Sequence, residues 1–195
     1  MTKSELLSRV PSLYRLARAF KERRRPPDHR DAPKRALLRE TAVAYGLRVL
    51  IETGTYMGET SWALRREFDR IETIELEPTL AHLAAIRFAR TANVHVHAGD
   101  SADVLPRLLD ALDTPALFWL DAHPSTDRTA RGAQIPLRRE LDAIAAHPVA
   151  GHVILVDDLQ FMGTPGYPAA EELAPPGYSF EAVGPVARLV PGTRS

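Results

Sequence analysis

Five short β-like runs end beside acidic residues, and this repetition limits what the chain can fold into more than any other feature. The runs are Val49–Glu52, Ile71–Glu75, Val94–Ala98, Ala116–Leu120 and His152–Val156. Helical patterns separate them at Thr60–Phe68, Pro78–Arg90, Asp103–Leu112 and Pro136–His147. Strand and helix alternating at this length predict a parallel sheet with helices on both faces. In such sheets ligands sit outside the carboxyl ends of the strands. Those ends carry Glu52, Glu75, Asp100, Asp121 and the pair Asp157-Asp158. A capping role explains Asp100 and Ser101, which open a helix. It explains Asp121 and Asp157-Asp158 less well, because no long helix pattern follows either at once.

The first strand runs into Glu52-Thr53-Gly54-Thr55-Tyr56-Met57-Gly58, and a helix pattern carrying Ser61 opens behind it. Glycines at 54 and 58 let the backbone turn sharply and approach a ligand. The loop lacks the Gly-x-Gly-x-x-Gly spacing of a dinucleotide site, with Thr55-Tyr56-Met57 standing where the middle glycine would be. Glu52 would repel a phosphate and suits an ammonium group. Glu75 lies about 20 residues beyond the loop, where an acid at the tip of a second strand accepts hydrogen bonds from a ribose. Together these features point to a nucleoside with an amino-acid tail and no phosphate.

These motifs resemble those of class I S-adenosylmethionine-dependent methyltransferases over roughly residues 45–190. The resemblance implies a Rossmann-like, doubly wound, mostly parallel α/β sheet of about seven strands. Tyr178–Val183 and Ala187–Val190 would form a C-terminal antiparallel hairpin, and helices would precede the domain. It also implies that Glu52, Gly54, Thr55, Tyr56, Gly58 and Ser61 hold the methionine part of the cofactor. Glu75 would hold the ribose, Asp100 and Ser101 the adenine side, and Asp121 would border the cofactor.

Phe118-Trp119-Leu120-Asp121-Ala122-His123 and Val153-Ile154-Leu155-Val156-Asp157-Asp158 further resemble small macrocin-type O-methyltransferases of sugar and natural-product pathways. That likeness implies methyl transfer to a hydroxyl of a small-molecule acceptor. Asp121, Asp157 and Asp158 would hold a divalent cation such as Mg²⁺, in keeping with hard oxygen donors. His123, with an ordinary pKa near neutrality, would be the base, with Asp121 beside it in catalysis. Arg128 and Arg131, in the polar stretch 124–134, would grip an anionic acceptor. Two other readings stand beside this one: an NAD-dependent oxidoreductase, and a non-catalytic nucleoside- or nucleic-acid-binding module.

Charge divides the chain. Residues 1–40 hold 12 Lys+Arg against 5 Asp+Glu, whereas the whole chain holds 25 of each. The expected organisation is a basic helical extension over residues 1–44 followed by a methyltransferase domain over 45–195. The extension's helices are candidates for a homodimer contact, and the acidic remainder argues against nucleic acid as partner. No apolar run approaches the length of a membrane span. The absence of cysteine, with no signal-peptide pattern, fits a cytoplasmic location.

Overall fold

The computed structural model describes residues 31–121, 136–165 and 167–192. The first helix among the described residues, α1 (Ala32–Tyr45), has Pro33 in its first turn, where a missing N–H costs nothing. It stops at Gly46, whose φ of 65° places it in the left-handed region that ends many helices. The Leu47 N–H closes the cap on Ala42 O at 2.8 Å.

The alternation follows as the sequence predicts. β1 (Val49–Thr53), α2 (Glu59–Leu64), β2 (Arg70–Glu75), α3 (Pro78–Phe88), β3 (Val94–Ala98) and α4 (Ser101–Asp110) come first. β4 (Ala116–Leu120), α5 (Leu137–Ala146), β5 (Val153–Val156), β6 (Tyr178–Val183) and β7 (Val186–Pro191) complete the sheet. The seven strands run in the order β3-β2-β1-β4-β5-β7-β6. β1 to β5 pair in parallel, and β7 lies antiparallel between β5 and β6.

Several boundaries differ from expectation by a residue or more, and two of the differences have local reasons. α2 ends at Leu64, short of Phe68. Beyond it the Asn93 side-chain amide donates to Arg65 O and Phe68 O, both at 2.8 Å, so those carbonyls are satisfied without further helix. α4 begins at Ser101, two residues before Asp103, because the Asp100 carboxylate accepts from Ala102 N at 3.0 Å and caps the turn.

Alternate strand residues serve opposite layers. Val49, Ile51, Phe118, Leu120, Ile154 and Val156 pack with Val104, Leu105, Leu137, Leu141 and Ile144 of α4 and α5. Leu50, Ile71, Leu117, Trp119, Val153 and Leu155 pack with Leu38, Leu64, Ala84 and Phe88 of α1 to α3. With both faces covered, β1, β4 and β5 are buried at every position, as parallel strands require. Leu38 and Ala42, from the stretch expected to be an extension, belong to this core.

Opposite the carboxyl ends of the strands, two histidines knit the layers together. The Ala116 N–H donates to His152 Nδ1 at 3.1 Å, so the proton of the neutral ring sits on Nε2. That N–H meets His147 Nδ1 at 2.8 Å, leaving His147 Nε2 to donate to Leu109 O at 2.9 Å. Burial, then the neighbouring His147, pushes the His152 pKa down to about 4 from 6.5. Its contribution to stability is therefore complete above pH 6.5 and fades as pH falls toward 4. Nitrogen-detected NMR should find His152 as the Nε2–H tautomer at pH 5; a ring already charged there refutes the assignment.

Candidate functional site

The order β3-β2-β1-β4-β5 reverses direction between β1 and β4, and in open α/β sheets the carboxyl ends flanking such a switch point are where ligands bind. Gly54 follows β1 and Asp121 follows β4 at this point. The Asp121 N–H donates to Thr53 O at 3.2 Å, which brings the two ends together. A Cβ on Gly54 would stand 3.1 Å from Asp121 Cβ, and the glycine holds φ at 91°. Space and backbone conformation both call for glycine here.

Gly58 is needed on a different account. With φ at 68°, an added Cβ would approach Phe88 of α3 to 2.7 Å. The missing side chain makes room for the packing of α3 against the loop. Gly58→Ala should cost about 1–3 kcal/mol in chemical denaturation, from backbone strain and overpacking. Unchanged stability would show that Phe88 yields freely.

Glu52 lies under the loop, 2% exposed. Its Oε2 accepts from Ser61 Oγ at 2.6 Å and from Thr73 Oγ1 at 2.7 Å. With Thr73 donating to Glu52, its oxygen accepts from Thr55 Oγ1 at 2.6 Å. One carboxyl thus ties together β1, the loop, α2 and β2. Burial pushes its pKa up to about 7; the hydroxyls pull it down, and Asp121 pushes it up again. A raised carboxyl pKa adds stability below its unfolded value of 4.5, and this is lost as pH rises through 7. Glu52→Gln cannot ionise, so relative to wild type it should gain roughly 3 kcal/mol between pH 4.5 and 8.5. Urea melts at the two pH values measure this; a difference that does not change with pH contradicts it.

Glu75 closes the loop from β2. Its Oε2 accepts the Tyr56 N–H at 2.7 Å and its Oε1 the Glu77 N–H at 2.9 Å. Tyr56 reaches this position with φ at 46°, and its residue is half exposed. Burial raises the Glu75 pKa against the pull of these two backbone donors. Asp100 caps α4, as its place before a helix suggested, and Ser101 begins that helix.

Sequence reasoning passed over two residues. Glu140 of α5 is 3% exposed, and burial pushes its pKa up to about 7. The Ser101 and Thr53 hydroxyls beside it pull that value down, while Asp100 and Asp121 push it up. Oε1 of Glu140 and the Thr53 hydroxyl have no partner of hydrogen-bond geometry among the described residues. The signal for Glu140 was its helical phase: Leu137, Leu141 and Ile144 face the core, and Glu140 falls among them. The other residue is Lys34 of α1, whose Nζ lies 2.5 Å from Asp157 Oδ2.

Asp121, Asp157 and Asp158 come together at the ends of β4 and β5. One oxygen from each lies within 4.8 Å of the others. Asp158 takes φ of 61°, and its N–H donates to Asp157 Oδ1 at 2.8 Å. Burial raises the Asp157 pKa even though Lys34 works to lower it. His123, Arg128 and Arg131 lie outside the described residues.

No family model and no curated protein matches this sequence. Solved structures do. An O-methyltransferase from Bacillus cereus in complex with SAH aligns with a TM-score of 0.60 at 18% identity, covering 95% of this chain and 96% of that one. The chain has the fold of class I methyltransferases. TomG from Streptomyces achromogenes, an O-methyltransferase involved in tomaymycin synthesis solved with SAM, gives 0.57 at 24% identity over 83% and 81% of the two chains. A methyltransferase from Geobacter sulfurreducens gives 0.59 at 13% identity, covering 93% and 90%. No helix among the described residues is long and apolar enough to cross a membrane.

Proposed function

We propose that this chain transfers the methyl group of S-adenosylmethionine to a hydroxyl of a small molecule, such as a sugar or natural product. The observation that carries the reading is the β1–β4 switch point, where Gly54 packs against Asp121 and the loop that Gly54 opens is held by the carboxyls of Glu52 and Glu75. The O-methyltransferases that share this fold support the chemistry.

Bound S-adenosylmethionine would supply a methyl carbon whose bond to sulfur breaks, with the electron pair going to sulfur, as the acceptor oxygen bonds to it. The chain's own residues bind and orient. Gly54, Thr55, Tyr56 and Gly58 shape the loop around the amino-acid tail. Glu52 and Ser61, bonded to each other beneath that loop, hold the methionine part of the cofactor with it. Glu75, its oxygens already aimed by two backbone N–H groups, accepts the ribose hydroxyls. Asp100 and Ser101 border the adenine. Asp121 lies between the two halves and orients the acceptor. His123, two residues further on, takes the hydroxyl proton. Holding the oxygen in line with the methyl carbon would supply much of the rate.

The Asp121, Asp157 and Asp158 oxygens suit a hard divalent cation such as Mg²⁺ in donor type and spacing. Such an ion would lower the pKa of an acceptor hydroxyl and orient it. One of the oxygens, Asp157 Oδ2, is already held by Lys34.

Calorimetric titration with S-adenosylhomocysteine, with NAD as the comparison ligand, tests the cofactor. Dissociation constants in the micromolar range for the former, weakened about 10-fold or more by Glu75→Ala, are expected from the loss of charge-assisted bonds to the ribose. Binding of NAD alone would transfer the site to an oxidoreductase, and binding of neither would end the methyltransferase reading.

A further inference from the structure

The acid cluster at the ends of β4 and β5 already has a cation seated on it. Lys34 reaches it from the first turn of α1, across 123 residues of sequence, and its Nζ stands 2.5 Å from Asp157 Oδ2. The Asp157 side chain is 5% exposed and that of Lys34 27%, so the lysine spans from solvent to the buried rim of the cluster. Burial works against the ammonium charge. The hydrogen bond and charge of Asp157, followed by the charges of Asp158 and Asp31, outweigh it and raise the Lys34 pKa. The other Asp157 oxygen is taken by the Asp158 N–H. Both oxygens of this carboxylate are therefore engaged within the chain.

A divalent ion spanning the three acids draws on the same Asp157 carboxylate. Two cations on one carboxylate repel each other, and desolvation at a buried rim weakens screening. We propose that Lys34 is the resident cation of the Asp121–Asp157–Asp158 cluster, and that a divalent ion binds there only by displacing its ammonium from Asp157. The chemistry of lysine suits the role. An ammonium is a compact point charge with three donors, and the bond to Asp157 uses one of them. The cluster carries a formal charge of −2 with Lys34 in place and −3 without it. The inference does not depend on methyl transfer, because no cofactor enters its test.

Electron paramagnetic resonance of free Mn²⁺ reports the bound fraction directly. The full chain should bind Mn²⁺ weakly, and Lys34→Gln should bind it at least ~10-fold more tightly once the competing charge is removed. Lys34→Arg, which keeps the charge, should stay as weak as wild type. The double variant Lys34→Gln/Asp157→Asn should lose the gain, which places the ion at this cluster. Thermal melts without metal check that each variant is folded, and Lys34→Met, which keeps the apolar stem, replaces Lys34→Gln should the latter fail to fold. Equal Mn²⁺ affinity in wild type and the neutral variants overturns the proposal. So does an arginine variant that binds as tightly as the glutamine one.

Discussion

A carboxyl shut away from water organises this site. Glu52 is surrounded by strand and helix, and the two hydroxyls bonded to it come from elements that pack against β1 on different sides. An unpaired buried carboxylate is costly, so Ser61 and Thr73 must be held where their hydroxyls reach it. That demand fixes where α2 leaves the loop and where β2 lies beside β1. The loop between them then has little freedom. Its N–H groups at Gly54 and Thr55 both turn onto Ile74 O, at 2.9 and 3.1 Å, and the Tyr56 N–H turns onto Glu75. Acid, loop and second acid behave as one unit.

The β1–β4 side of the site rests on contact between Gly54 and Asp121. The β4–β5 side rests on charge: three acids crowded together and a lysine brought from the start of the fold. The first arrangement depends on shape, on the side chain that Gly54 lacks. The second depends on electrostatic balance, and its character changes with whichever cation is present.

Much of this was legible in the sequence, and the rest was not for definable reasons. Runs such as Ala116–Leu120 are apolar at every position, which marks a strand covered on both faces. The bounds of β3, β4 and β6 match their patterns because apolar periodicity and flanking turns agree. α2 came out shorter than its pattern, and beyond its end a side-chain amide 28 and 25 residues away takes the Arg65 and Phe68 carbonyls, a contact invisible to local periodicity. Gly58 could be seen as a turn residue, but not as a space reserved for Phe88. Glu140 left a trace, an acid in the apolar phase of a helix. Lys34 left none, because its helix pattern is ordinary and its partner lies at the far end of the sheet in sequence.

The place of β7 has a consequence for how the chain reaches this structure. β7 lies between β5 and β6, so β6 touches the sheet only through a strand that follows it in the chain. During synthesis the edge of β5 remains an open ladder until residues 186–191 have emerged. β6 cannot cover it, since it pairs with β7 alone. The hairpin carries the facing Glu181–Arg188 pair and docks on β5 through β7. That step closes contacts between strands distant in sequence, and steps of this kind are slow. Until it happens, the apolar strand β5 offers a pairing edge to any other extended chain nearby.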